Sequence, residues 1–291
     1  LFQLQLRFGV FFLVCFLFLV ACRAGSKEVE AKRPEETILP TPIRLERDSA
    51  DTAYRIYLTF DDGPYKTTPA LARLLAQKGI RISFFIIGSQ IDKSPWHDSV
   101  YQALRLDPNF KIYNHTYSHA VTNGRIHGYY RNPTGVWRDI TKNKAYLPAG
   151  VSITRLPGKN TWRTPSRLTK NDTQSGPLLK LLDSLKQPEF LVGWDVEWVS
   201  ATGANRAAME KLIEQVEKKL SSAPAHKRDV VILSHDYLYR TPKSLELLGD
   251  FIDHFQQKGN VKFDWVQHLP GLASGAETAS VSDTKSPVAE H

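Results

Sequence analysis

An α/β fold built on about seven mostly parallel strands, closed as a barrel or left as an open sheet, is what the 291-residue sequence predicts. Short apolar runs recur at 56–60, 80–87, 110–113, 151–155, 190–198, 230–233 and 261–266. Most lack polar–apolar alternation, as expected of strands covered on both faces, which is the usual state of a parallel sheet. Amphipathic stretches lie between them, and strand–helix alternation over roughly 215 residues is the pattern that parallel connections produce.

The helices carry their own punctuation. Thr68 can cap a helix with Pro69 at its first position, Leu71, Leu74 and Leu75 on one face, and Lys78-Gly79 at its end. Residues 241–259 repeat that arrangement, and 177–187 and 205–220 read as two further helices. No internal repeat is evident.

The first residues follow other rules. After Arg7 an unbroken apolar run covers 8–21, too short to span a bilayer comfortably but suited to the core of a signal peptide. It ends in Leu19-Val20-Ala21-Cys22, which resembles a bacterial lipobox with Cys22 as the lipidated residue. The expected organisation is a leader at 1–22, a polar tether at 23–51, a globular domain at 52–270 and a polar flexible tail at 271–291. Such a protein is exported and held at a bacterial membrane by its lipid, on the periplasmic or extracellular side.

The composition, 42% hydrophobic and 23% charged, is that of an ordinary globular chain. The net charge of +8 comes from scattered Lys and Arg with no basic run, so a nucleic-acid partner is not indicated, and no protein partner is evident. Both cysteines, Cys15 and Cys22, fall in the leader. Any metal in the domain must therefore be held by histidines and carboxylates.

Residues just beyond the C-terminal ends of parallel strands converge on one mouth, and here five strand ends bring polar groups to it. The first gives Thr59-Phe60-Asp61-Asp62-Gly63-Pro64, in which adjacent carboxylates form a solvated Asp-Gly turn or a pair whose environments a cation or proton transfer separates. Another runs into His115-Thr116-Tyr117-Ser118-His119, whose imidazoles, four apart on a helical turn, make a workable chelating pair. Arg155 precedes Leu156-Pro157-Gly158 and Trp162, and an Arg there can orient a carboxylate. An extended Trp194-Asp195-Val196-Glu197-Trp198 puts both acids on one face and both indoles on the other. The run at 230–233 leads to Ser234-His235-Asp236.

In this order, these segments resemble the motifs of the polysaccharide deacetylases, carbohydrate esterase family 4, over about residues 54–270. The resemblance implies a distorted (β/α) barrel of about seven strands. It implies Asp62, His115 and His119 as ligands of zinc or another divalent transition metal, Asp61 as general base, Arg155 as its orienting partner and His235 as general acid. Asp195 or Glu197 would support His235. Tyr65, Pro157, Trp162 and Trp198 would line the substrate groove, with a backbone N–H near Tyr65 at the oxyanion. Two departures stand out: Gly158 occupies a place where the family usually has an aromatic, and Glu197 stands where it usually has Asp before Trp.

An Asp-His-His set leaves metal positions open, as catalytic rather than structural sites do. Asp61 could then accept a proton from the attacking water, while His235 supplies one to the departing amine, since an amide anion leaves poorly. The implied activity is removal of N-acetyl groups from an N-acetylglucosamine polysaccharide: peptidoglycan, poly-N-acetylglucosamine or a chitin-like chain. An O-acetyl carbohydrate esterase and an inactive carbohydrate-binding lipoprotein are the competing readings.

Overall fold

The computed structural model describes residues 54–121, 128–169, 173–186, 189–222, 229–270 and 272. All belong to the second of the two units into which the chain divides, Leu39–His291. The leader with Cys22, the tether at 23–51 and the tail at 271–291, apart from Leu272, lie outside the described residues. Leu272, which composition assigns to the tail, is 2% exposed and joins the apolar core.

In chain order the elements are β1 (Tyr54–Asp61), α1 (Thr68–Lys78), β2 (Ile82–Ile86), α2 (Gly88–Ile91), α3 (Pro95–Leu106), β3 (Phe110–Asn114), α4 (Pro133–Lys144), β4 (Ile153–Thr154), α5 (Gly176–Ser184), β5 (Phe190–Leu191), β6 (Val196–Glu197), α6 (Ser200–Ala204), α7 (Arg206–Ser222), β7 (Asp229–His235), α8 (Pro242–Gln256) and β8 (Val261–Phe263). The sheet order is β5-β4-β3-β2-β1-β7-β6, and every ladder is parallel. β8 pairs with the first residues of β1, Tyr54 to Ile56, and β2 with its last, Thr59 to Asp61. The result is a distorted (β/α) barrel, as the family resemblance implies, rather than the open sheet that strand–helix alternation also allowed.

The alternation of β1 separates two cores. Ile56, Leu58 and Phe60 face the helices with Leu71, Leu75, Leu248 and Phe251, whereas Tyr57 turns into the barrel with Phe85, Tyr113, Val192 and Val231. Both faces are thus covered, which explains the apolar strand runs, and each large apolar side chain so buried contributes about 1.5–3 kcal/mol.

The strand expected over 190–198 is instead split. Its first part, β5, pairs with β4 and its second, β6, with β7, so these few residues bridge the two ends of the sheet order. Val192 N–H donates to Thr154 O at 3.0 Å and Asp195 N–H to Val231 O at 2.8 Å, one bond to each side. Gly193 sits at the crossing because a Cβ there would lie 2.1 Å from Asn160 Oδ1 and 2.6 Å from Trp162 Nε1.

Several helix ends follow local chemistry. Gly79 takes φ 63° after α1, and Thr241 with Ser244 forms a capping box on α8. Thr68 does not cap α1; its hydroxyl donates to Asp236 Oδ2 instead. The helices α3 and α4 are absent from the sequence-based reading, although Ser94-Pro95 and Asn132-Pro133 mark both starts and both side chains accept the expected cap hydrogen bond.

Candidate active site

Sheet register places the reactive groups side by side. Asp61 at the end of β1 is the Cα partner of His235 at the end of β7, and on its other flank of Phe85. Asn114, the last residue of β3, pairs with Ile86 and with Thr154, which brings His115 and Arg155 to the same level. Asp61, Asp62, His115 and Arg155 are buried, whereas His119 and His235 are half-buried.

Arg155 fills the barrel beneath the mouth and is fully buried. Its guanidinium donates to Asp61 Oδ1 (2.8 Å), Thr59 Oγ1 (2.6 Å), Val192 O (3.1 Å) and Gly193 O (3.0 Å), and lies over the Phe85 ring at 4.2 Å. Burial pulls its pKa down against the opposing charge of Asp61. Asp61 is thereby held by one oxygen, and its Oδ2 lies 3.7 Å from His115 Nε2.

Asp62 turns away from β1 in the left-handed region at φ 76°, a conformation Asp tolerates better than most residues with a Cβ. The next position must be glycine, since a Cβ on Gly63 would lie 2.4 Å from Asp236 Oδ2. Asp62 Oδ1 then receives both imidazoles, His115 Nε2 at 3.1 Å and His119 Nε2 at 2.9 Å. The histidine segment is not the helical turn expected from its spacing: Thr116, His119 and Ala120 have φ of 65°, 55° and 60°, and the loop folds His119 back over Asp62.

These three residues fit a divalent metal. Their donor atoms all lie within 4.8 Å of one another. His115 Nδ1 lies 2.9 Å from Arg155 O and donates there, so Nε2 faces Asp62 with a proton in the charged ring and with a lone pair able to bind a metal in the neutral one. Three such atoms can share a metal ion, and without one a hydrogen on the imidazole nitrogens joins them to Asp62. Burial pushes the Asp62 carboxyl up, but the hydrogen bonds and charges of His115 and His119 outweigh it and hold it far below the usual carboxylate range. Burial likewise lowers His115, yet Asp61 and Asp62 raise it on balance.

The remaining expected residues divide. Tyr65 is half-buried and meets Tyr237 edge-on at 6.0 Å, and Tyr237 in turn packs on His235 at 5.0 Å. The Tyr65 N–H already donates to Thr68 Oγ1 at 2.8 Å. Pro157 is buried with its carbonyl bonded by Tyr130 Oη at 2.6 Å, and Gly158 beside it is exposed. Trp162 is half-buried beneath the Arg167 guanidinium at 4.5 Å.

Two of the expected assignments are corrected. Trp198 is fully buried between Tyr239 and Phe251 in the helix-covered core, so it cannot touch a glycan. Asp195 immediately precedes β6 and accepts from Arg167 Nη1 (2.8 Å) and Val231 N–H (2.9 Å), four residues along β7 from His235. Glu197 is the acid on the mouth side: it is exposed, and its charge reaches Tyr237, the ring neighbour of His235.

Sequence reasoning assigned no role to Asp236, Asp139 or Asn143. Asp236 is fully buried, and burial pushes its carboxyl up to about 7, the Thr68 hydrogen bond opposing and the charges of Asp62 and Asp61 reinforcing the shift. Its place beside His235 was the available signal. Asp139 and Asn143 lie on α4 and carry no motif.

Residues 48–174 match the polysaccharide deacetylase family model. That span contains Asp61, Asp62, His115, His119 and Arg155, and ends before His235. YheN of Bacillus subtilis (strain 168), whose name assigns it provisionally to the polysaccharide deacetylases, is 23% identical over 88% of this chain and 90% of its own length. The chitin disaccharide deacetylase of Vibrio alginolyticus is 23% identical over 72% of this chain and 70% of its own. Among solved structures, the polysaccharide deacetylase Bc1974 from Bacillus cereus aligns at a TM-score of 0.51 and 20% identity over 75% of this chain and 94% of that one. The catalytic domain of the peptidoglycan N-acetylglucosamine deacetylase from Eubacterium rectale gives 0.51 and 21% over 74% and 90%. Both share the fold.

Proposed function

We propose that this protein is a zinc-dependent polysaccharide N-deacetylase of the polysaccharide deacetylase family, exported and held at a bacterial membrane by a lipid on Cys22, acting on an N-acetylglucosamine polymer. The reading rests above all on one convergence: a three-ligand set of Asp62, His115 and His119, beside an Asp61 fixed by a buried arginine, with His235 as the strand neighbour of Asp61. The family match and the curated relatives support the same class.

Bound at Asp62, His115 and His119, a divalent metal would supply Lewis acidity to an acetyl carbonyl and make water a better acid. Asp61 then accepts the proton of the attacking water. Arg155 occupies Asp61 Oδ1 and leaves Oδ2 toward the histidines, so the free oxygen faces the reacting centre. His235 gives a proton to the departing amine nitrogen, without which the carbon–nitrogen bond does not break. Tyr65 and Tyr237 offer ring surface beside His235 for a pyranose face.

Acetate release from peptidoglycan, poly-N-acetylglucosamine, chitin oligomers and an O-acetylated xylan, with zinc added, tests the proposal. Release from an N-acetylated glycan, lost with a chelator and regained with zinc, is expected. Release from the O-acetylated glycan alone would replace the amidase by an esterase, and no release from any would remove the enzymatic reading.

A further inference from the structure

The His115–His119 loop is an unfavourable conformation that must be held from outside. Thr116, His119 and Ala120 are left-handed without being glycine, and such residues persist only where their surroundings over-determine them. Part of the restraint is internal: Asn114 Oδ1 accepts from Thr116 N–H at 2.8 Å, and Thr116 Oγ1 from His119 N–H at 3.2 Å. Bonds within the loop keep its shape but do not fix it against the strand that carries Asp62.

The external ties come mainly from one face of α4. Asn143 donates to Asn114 Oδ1 and to Ile86 O, both at 2.9 Å, and so anchors the start of the loop to the ends of β2 and β3. Asp139, one turn earlier, takes the end of the loop. Its carboxylate accepts from Ser118 N–H (3.1 and 3.2 Å to its two oxygens), from Ser118 Oγ (2.8 Å) and from Tyr129 Oη (2.8 Å). Between these points Ser89 N–H holds Tyr117 O at 3.0 Å. Ser118 directly precedes His119, whose imidazole is the more exposed of the two and has its backbone N–H bonded within the loop.

The geometry points to Asp139 as a positioning residue for the metal site: by gathering Ser118 and Tyr129 it fixes the backbone from which His119 reaches Asp62 and His115. This rests on the metal reading of those three residues. Asp139 neither reaches the metal ligands' donor atoms nor takes part in chemistry; it removes freedom that His119 would otherwise lose on binding the ion. Outer partners of this kind typically change metal affinity by about 10–100-fold.

The test is a zinc titration of Asp139→Ala against wild type by competition with a chromogenic chelator, together with the absorption spectrum of the cobalt(II)-substituted proteins. Asp139→Ala should bind zinc about 10-fold or more weakly and shift the cobalt bands, which report ligand geometry. A purely structural role would lower the melting temperature of the metal-free protein and leave both metal readouts in place. Ser118→Ala, which removes one of the donors, should show a smaller loss in the same direction and decides the question if Asp139→Ala does not fold. Wild-type zinc affinity and cobalt spectrum in the variants overturn the positioning role alone, whereas absence of zinc binding by wild type overturns the metal reading and this inference with it.

Discussion

The strand-borne carboxylates and the loop-borne imidazoles meet at one oxygen, Asp62 Oδ1, yet reach it from different surroundings. On the strand side, Asp61 and Arg155 are buried within a continuous parallel ladder, and the guanidinium bonds Thr59, the crossing segment and Asp61 at once. On the loop side, His119 has a half-exposed imidazole in an irregular segment tied by side chains of α4. The strand half should therefore fail by unfolding and the loop half by losing its ligand.

Arg155→Met gives the largest expected effect on stability. It leaves Asp61 a buried carboxylate without its cation and two carbonyls without donors, and breaking one partner of a buried pair typically costs about 3–5 kcal/mol. Urea denaturation of the metal-free protein measures it. A loss below about 1 kcal/mol would mean that the barrel interior relaxes around the gap and that the strand half is not the rigid one.

His119→Ala sharpens the contrast from the other side. Tight zinc binding and acetate release should disappear, while the melting temperature of the metal-free protein stays within about 4 °C of wild type, as for a substitution that opens no cavity. Collapse of the metal-free fold would show the loop to be part of the core.

A third effect concerns pH and Asp236, on the strand side. Its carboxyl sits at about 7 in the fold against 3.8 for an ordinary Asp, so between those values the folded protein keeps a proton that the unfolded chain has lost. Stability attributable to this group is therefore full below about pH 4 and declines as pH rises toward 7. Asp236→Asn is neutral throughout and can still bond Thr68. The urea midpoint of the variant relative to wild type should rise between pH 4 and pH 7; a constant difference would mean that Asp236 is ionised in the fold.

Legibility in the sequence followed the same division. The strand half was readable because each end is a short apolar run closed by polar residues, and parallel register carries those ends to one level; Asp61, Arg155 and His235 needed no knowledge of helix packing. The chelating pair was readable as a pair but not as a shape, since spacing of four suggests a helical turn and nothing local announces three left-handed residues. What fixes that shape comes from α4, whose Asp139 and Asn143 look like solvated polar residues in any window. The failure at 190–198 has a similar origin: period-two alternation assumes one sheet neighbour throughout, while this segment changes partners at Gly193. Trp198 consequently faces the helices, and Asp195 is left bonded to Val231, four residues along β7 from His235.

The ladder between β1 and β7 also bears on how the protein comes to exist. β1 is flanked by strands from near and far in the chain: β2 follows it within one helix, but β7 and β8 arrive only near the C-terminal end of the domain. The loops that must close to form those contacts are nearly as long as the domain, and contacts of such sequence separation slow folding. Until β7 docks, β1 keeps an open edge, and Asp61 has no His235 beside it. Completion of the barrel and assembly of the reactive mouth are thus one event, and an N-terminal fragment ending before β7 would have neither.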